Sequence, residues 1–486
     1  MADRRKDRDG EASPREDLSE VLAARAARLD AARPDAVARR RAKGRGTPRE
    51  GIAALLDPES FVELGGLARP ARPDMEGAAD GVVMGTGTVD GHPVAVMAYD
   101  YTVHAGTQSA INHPKTDRIF EIAARRRLPI VCWLEGGGAR PHDMIVAKRG
   151  VTTTFVAFAR LSGLVPTVGI VTGHAFAGNA NLAGMTDCLI ATRDATMGMA
   201  GPPLVEAALG EKLRPEEIGP AEVHVDSGVI DILVEGDAEA VAAAKQYLSY
   251  FHGRLAPGEA PDVRRLRDLV PESPRRAYDV RKVIAAIADR ESVLELKAAY
   301  GRAAVTALAK IEGRPVGVIA NQPMHMAGAI DAPASEKIAR FISLCDAFDI
   351  PMLFLCDTPG LMVGPKVERT GLVRRSARIL TALANATTPH MTVVLRKAYG
   401  LGYYVMGSLP KDPALLVAWP TAEFGGMGLE GAARIIWKKE FEAIEDEAER
   451  NAAIQEKTDY LMNQNTALEV GGRFEYDDVI DPADTR

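Results

Sequence analysis

Val89-Asp90-Gly91-His92-Pro93-Val94-Ala95-Val96 returns 222 positions later as Ile311-Glu312-Gly313-Arg314-Pro315-Val316-Gly317-Val318. The same offset superposes Gly106 on Gly328, Lys115 on Lys337, Pro129 on Pro351 and Gly138 on Gly360, without a gap across about fifty residues. Beyond that the offset becomes 223, pairing Pro166 with Pro389 and the segment 173–180 with 396–403. A repeat this long is not a solenoid unit. It reads as a duplicated domain of roughly 200 residues, and two such domains can pack with approximate two-fold symmetry and share a site.

Around the repeat, from about residue 76, short Val/Ile/Ala strands alternate with Gly-rich turns and amphipathic helices, which predicts an α/β fold. The clearest strands are Val94 to Met97, Ile130 to Leu134, Thr167 to Val171 and Cys188 to Ala191. The Pro- and charge-rich stretch 255–277 reads as a linker. It separates an N-terminal domain, 51–254, from a C-terminal one, 278–486. Residues 1–50 hold 14 Lys or Arg and 10 Asp or Glu, with Ser13 and Glu16 spaced as a capping box ahead of Leu18, Val21, Leu22 and Leu29. One amphipathic helix is expected there, and the basic run Arg39 to Arg49 is expected to be solvated linker.

A net charge of -7 offers no general basic surface for nucleic acid. Four cysteines, Cys132, Cys188, Cys345 and Cys356, lie far apart in apolar surroundings and read as buried thiols of a reducing compartment. No long apolar window and no apolar leader is present, so no membrane span is expected and a cytoplasmic location is.

The chain lacks a GxSxG elbow, HExxH, zinc-spaced Cys/His, a Walker A loop and a dinucleotide fingerprint. Gly85-Thr86-Gly87 reads as a strand turn. The nine histidines are scattered, and His174 and His224 read as structural. No metal site is expected. What remains is backbone chemistry. Gly173-His174-Ala175-Phe176-Ala177-Gly178-Asn179-Ala180 and its partner Arg396-Lys397-Ala398-Tyr399-Gly400-Leu401-Gly402-Tyr403 each follow a β-rich run and precede a helical pattern. Small residues in such turns leave N–H groups unpaired and reachable, as an oxyanion hole requires.

From about Gly51 onward the chain resembles the carboxyltransferase (β) subunits of propionyl-CoA and acetyl-CoA carboxylases. The resemblance is carried by Leu55-Leu56-Asp57-Pro58-Glu59-Ser60-Phe61-Val62-Glu63-Leu64, Gly136-Gly137-Gly138-Ala139-Arg140, Ala320-Asn321-Gln322-Pro323-Met324, Asp357-Thr358-Pro359-Gly360, Arg396-Lys397-Ala398-Tyr399-Gly400 and Ala418-Trp419-Pro420-Thr421-Ala422-Glu423. It implies two tandem crotonase-like domains, a homo-hexamer, and an active site between the N-domain of one subunit and the C-domain of another. Acyl-CoA, the substrate, is then held mainly by the N-domain, at Gly137, Gly138, Ala139, Arg140 and Asn179, with Tyr404 lining the acyl pocket. Carboxybiotin enters from the C-domain side, near Lys397, Tyr399 and Gly400. The chain shows neither a Met-Lys-Met biotin site nor an ATP-binding region. Biotin is therefore expected on a partner, a biotin carboxylase/biotin carboxyl carrier subunit.

By the same resemblance the N–H groups near Ala177 and Gly178 serve the thioester oxygen, and those near Leu401 and Gly402 the biotin ureido oxygen, with no side-chain base. The family usually has Gly-Gly at Ala177-Gly178 and Gly-Gly-Ala at Gly400-Leu401-Gly402, so a positive φ would strain Ala177 or Leu401. Asn179 reads equally as an added donor or a helix cap. Tyr404 stands where the family has Asp or a branched aliphatic, which reads equally as an acyl group other than propionyl or acetyl or as a ring packed away from the pocket. Arg140, Lys115, Lys337 and Lys397 are the cations to test against CoA phosphates or the biotin approach. Three other readings share the residues: a biotin-dependent acyl-CoA decarboxylase subunit, a biotin-independent crotonase-type enzyme, and a silent scaffold.

Overall fold

The computed structural model describes residues 15–141, 143, 153–273, 276–409 and 413–486. The chain divides into two compact units, the first reaching His224 and including Leu233–Lys245, the second formed by Val225–Ile232 and Gln246–Arg486.

The first unit carries β1 (Val62–Leu64), β2 (Val82–Val89), β3 (His92–Tyr99), β4 (Ile130–Trp133), β5 (Thr167–Val171), β6 (His174–Phe176), β7 (Cys188–Thr192) and β8 (Thr196–Gly198), with β9 (Ile232–Val234) at its edge. Its main sheet runs β1-β2-β3-β4-β5-β7-β9, and β6 pairs with β8 apart from it. The second unit carries β10 (Leu294–Leu296), β11 (Ala304–Ile311), β12 (Arg314–Asn321), β13 (Met352–Thr358), β14 (His390–Tyr399), β15 (Leu415–Ala418), β16 (Glu423–Gly425) and β17 (Asp478–Val479). The order is β10-β11-β12-β13-β14-β15-β17, with β16 beside β14.

The duplication is visible in the strand register. Ala95 pairs with Ile130 across β3 and β4, and Gly317 with Met352 across β12 and β13, each residue displaced by the sequence offset. Both units open with an antiparallel hairpin and continue as parallel strands. The two hairpin turns, Asp90-Gly91 and Glu312-Gly313, take positive φ at both positions, the geometry that matches strand twist. Asp57 accepts both turn N–H groups in the first unit and Asp289 both in the second. The parallel connections run through the helices Asn112–Arg126 and Ala332–Ala347, which bury Ile119 and Phe120 in one unit and Ile338 and Ile342 in the other.

Three expectations change. Gly85-Thr86-Gly87 lies inside β2 rather than in a turn. A side chain on Gly85 would collide with the Val62 carbonyl, so the glycine lets β1 come close. The stretch 255–277 is not a free linker: Leu266 and Val270 are buried in the core of the second unit. Nor is the basic run wholly solvated: Arg39, Arg41 and Lys43 are exposed, but the other three cations are engaged. Arg40 binds Glu135, Arg45 binds Asp194 and Arg49 binds Glu63. A helix is present at Glu16–Ala26 with no buried residue, while Ser13 of the expected capping box lies outside the described residues. All four cysteines are buried and none is disulfide-bonded.

Candidate active site

Strand β4 leads through Leu134 to Glu135 and the loop Gly136-Gly137-Gly138-Ala139, which lies against the turn at the end of β6. Gly136 exchanges hydrogen bonds with that strand, its N–H on the His174 carbonyl and its carbonyl receiving the Phe176 N–H, each at 2.8 Å. Gly138 takes φ 84°. Its pro-side-chain direction faces the Ala177 Cβ, 2.7 Å from where its own Cβ would stand.

Accounting for every N–H here separates framework from free donors. Gly137 donates to Ala105 at 3.0 Å, Gly138 to Asn179 Oδ1 at 3.1 Å and Ala177 to Gly198 at 2.9 Å. The Ala177 N–H is therefore not available to a ligand, which corrects the expectation. Ala177 sets the turn instead, at φ 51° and ψ -120°, a conformation that costs a non-glycine residue of order 1–3 kcal/mol. The N–H groups of Ala139, Gly178 and Asn179 find no acceptor among the described residues.

The second unit repeats the arrangement. Ile330 N–H on the Gly360 carbonyl and Met362 N–H on the Ile330 carbonyl, 3.0 and 2.9 Å, copy Gln108 on Gly138 and Arg140 on Gln108, both 2.7 Å. Gly400 takes φ 55°, as Ala177 does at φ 51°. Leu401 is not among the residues of positive φ, so it carries no strain. The N–H groups of Leu361, Leu401 and Gly402 have no acceptor among the described residues.

The loops are tied by different side chains. Asn179 is fully buried; its Oδ1 holds Gly138 and its Nδ2 reaches the carbonyls of Gly106 and Glu135 at 3.4 and 3.3 Å. Its side chain is neither a free donor nor a helix cap. Gly402 fills its place in the second unit, packed so that a Cβ would stand 2.6 Å from Gly360 Cα. There Thr358, the counterpart of Gly136, ties the loop: its hydroxyl contacts the Gly328 and Gly360 carbonyls at 2.9 and 3.2 Å and the Gly360 N–H at 3.1 Å.

The predicted cations are all engaged internally. Arg140 is buried against Asp80 at 2.6 Å, which removes its guanidinium from direct substrate contact. Lys115 donates to the carbonyls of Ala79 and Val82, and Lys337 to those of Lys297, Tyr300 and Ala304. Burial pulls both ammonium groups down to about 8. Lys397 lies 3.7 Å from Asp357, which also holds Arg396 at 3.1 Å. Tyr399 is buried with its hydroxyl on Glu423 at 2.7 Å, so it supports the second turn from behind rather than facing a cofactor. Leu401 and Tyr404, one helical turn apart, are 47% and 40% exposed. Burial lowers the imidazole pKa of His113 and His174, whose ring nitrogens bond the hydroxyls of Thr154 and Thr196. Among the described residues no cluster of His, Cys, Asp and Glu is suited to a metal, and no helix is long and apolar enough to cross a membrane.

Sequence reasoning missed a groove of about 790 Å3 lined by Arg28, Arg33, Arg69 and His104. Arg28 and Arg33 face carboxylates, whereas Arg69 is exposed and has no ion-pair partner among the described residues. The groove wall Thr102–His104 runs into Ala105, whose carbonyl holds Gly137. No motif marks these scattered residues. The acidic residue before each loop, Glu135 and Asp357, was also missed, although it obeys the repeat offset.

The family model described as the carboxyl transferase domain matches residues 39–486. The methylmalonyl-CoA carboxyltransferase 12S subunit of Propionibacterium freudenreichii subsp. shermanii is 39% identical over 93% of this chain and 88% of its own. The biotin-dependent long chain acyl-coenzyme A carboxylase beta4 subunit of Mycobacterium tuberculosis is 37% identical over 93% and 88%. Among solved structures, transcarboxylase 12S, described as a hexamer assembly with methylmalonyl-coenzyme A and methylmalonic acid bound, superposes with a TM-score of 0.89 at 35% identity, covering 98% of this chain and 94% of that one. A single-chain, multi-domain long-chain acyl-CoA carboxylase superposes at 0.91 and 46% identity over 97% of this chain. This chain spans about half of that protein, 48% of its length. Two crotonase-like halves, a family domain over nearly the whole length and relatives more than a third identical agree: the chain belongs to the carboxyl transferase domain family, that of the carboxyltransferase subunits of biotin-dependent acyl-CoA carboxylases.

Proposed function

We propose that the chain transfers a carboxyl group from carboxybiotin on a partner protein to the α carbon of an acyl-CoA, using one backbone donor set in each half. The observation that carries this is the pair of matched turns, each with three N–H groups that find no acceptor among the described residues: Ala139, Gly178 and Asn179 in one, Leu361, Leu401 and Gly402 in the other. Carboxylation needs an enolate, and preorganised donors favour its oxygen over the ground-state carbonyl. Ala139 and Gly178 N–H would hold the thioester oxygen. Gly137 and Gly138 carry no side chain and keep the approach open. Arg69 in the adjoining groove is the cation best placed for CoA phosphate.

Leu401 and Gly402 N–H suit a neutral ureido oxygen that gains negative charge. Carboxybiotin, when bound, supplies the activated carboxyl group and afterwards the base that accepts the α-proton. The chain's own part is to hold the two oxygens, with Lys397 and Gly400 flanking the second turn. Assembly as a hexamer, a separate biotin-carrying partner and a cytoplasmic setting are part of the same reading. Tyr404 and Leu401 make one exposed apolar stripe, and we assign to Tyr404 the contact with an acyl group larger than propionyl.

The test is pull-down from the native host with streptavidin blotting, followed by an acyl-CoA panel of increasing chain length with ATP and bicarbonate. A biotinylated partner and turnover of one acyl-CoA are expected. Recovery without biotin, or without turnover of any acyl-CoA, refutes the reading.

A further inference from the structure

We propose that Arg40, in the N-terminal segment, is a positioning residue for the first turn, acting through Glu135 in the place that Arg396 fills behind the second turn. The inference rests on the reading of the first turn as an oxyanion-holding site.

Glu135 immediately precedes Gly136, and its carboxylate is buried. Arg40 grips it bidentately, Nη1 to Oε2 at 2.9 Å and Nη2 to Oε1 at 2.8 Å, while the Thr172 hydroxyl donates to Oε1 at 2.5 Å. The Glu135 carbonyl takes the Asn179 amide that holds Gly138. One residue thus ties the loop that follows β4 to Thr172, which leads from β5 into β6 and the turn. Asp357, 222 positions later, does the same work in the second unit. It accepts Arg396 Nε at 3.1 Å and the Lys397 backbone N–H at 3.2 Å, joining the end of β13 to β14.

The cations come from different places. Arg396 aligns with Gly173, which has no side chain to offer. A Cβ on Gly173 would stand 2.8 Å from both Glu135 Oε2 and Arg45 Nη1, so the position borders the carboxylate that corresponds to the one Arg396 meets in the other copy. Arg40 arrives instead from the helix Pro34–Arg41, outside the repeat. A buried carboxylate without a cation takes up a proton or moves toward water, and either shifts the loop that begins at the next residue.

The experiment compares Arg40→Ala, Arg40→Lys, Arg40→Ala with Gly173→Arg, and Arg49→Ala as a control. Arg49 forms a comparably buried pair with Glu63 that does not touch the loop. Steady-state kinetics use the acyl-CoA turned over in the panel, and amide hydrogen exchange is followed over residues 134–140. Arg40→Ala is expected to lower kcat about 10- to 100-fold with KM little changed, since misplacement of this order has that effect. Exchange over 134–140 should accelerate; Arg40→Lys should recover part of both readouts, and Gly173→Arg more. Arg49→Ala should lose stability and keep kcat. A kcat for Arg40→Ala no lower than for Arg49→Ala, unchanged exchange over 134–140, or a folded double variant no better than Arg40→Ala overturns the inference. If the wild type turned over nothing, the reading of the turn would fall and the exchange data alone would decide the role of Arg40.

Discussion

The Asn179 carboxamide and the Gly106 carbonyl share the space that a side chain on Gly136 would need, with Nδ2 and the carbonyl oxygen both in collision range of a Cβ there. In the second unit the tenancy is reversed, with Thr358 present and Gly402 bare. Gly136→Thr alone should destabilise the first unit by about 1–3 kcal/mol through overpacking. Asn179→Gly alone should cost about 1–3 kcal/mol by leaving the Gly138 N–H unpaired. The double variant should cost less than the sum, because it installs the solution of the other half. Urea denaturation of the four proteins measures the coupling.

Gly178→Pro deletes one free N–H at the first position of a helix, where proline is otherwise accepted. Gly178→Ala keeps the N–H and meets the same neighbour, the movable end of Gln108. The alanine variant should retain most activity, and the proline variant should lose about 10²–10³ in kcat, the usual worth of one oxyanion donor. Equal activities in the acyl-CoA assay would remove Gly178 from the site.

Ala177→Gly should raise stability by about 1 kcal/mol, because glycine takes φ 51° without strain. Gly400→Ala should do the opposite, since a Cβ there stands 2.8 Å from the Gly426 carbonyl. Chemical denaturation reads both. Kinetics should show kcat unchanged in the first variant, whose altered residue donates only to Gly198.

Lys115 and Lys337 hold folded-state pKa values of about 8, below the unfolded value near 10.4, because burial disfavours the ammonium form. Between those values the unfolded chain binds more protons, so stability attributable to each lysine rises with pH from about 8 toward 10. Below pH 8 the penalty is constant. Lys337→Met should lack its share of this rise, so the stability difference between variant and wild type should narrow from pH 8 toward 10, measured by denaturation across pH 7 to 10.

Most of the fold is legible in the sequence because duplication writes it twice. The offset found at Pro93 and Pro315 is the one that the strand register obeys. Both turns are likewise legible, since the segments 173–180 and 396–403 match at a single offset and each follows a β-rich run. What stays hidden is where each polar atom is engaged. No pattern tells that the Ala177 N–H belongs to Gly198, that Arg140 is buried on Asp80, or that Arg40 reaches across 95 positions to Glu135. These are long-range pairings decided by packing. The charged composition of residues 1–50 looks like solvated linker until its carboxylate partners are seen.

The exchange of side chains between Asn179 with Gly136 in one half and Thr358 with Gly402 in the other has a historical consequence. After duplication a single substitution could no longer convert either half into the other, since each intermediate is either crowded or slack. Neither copy can therefore drift back to the other by one step, although the two keep one backbone register in common.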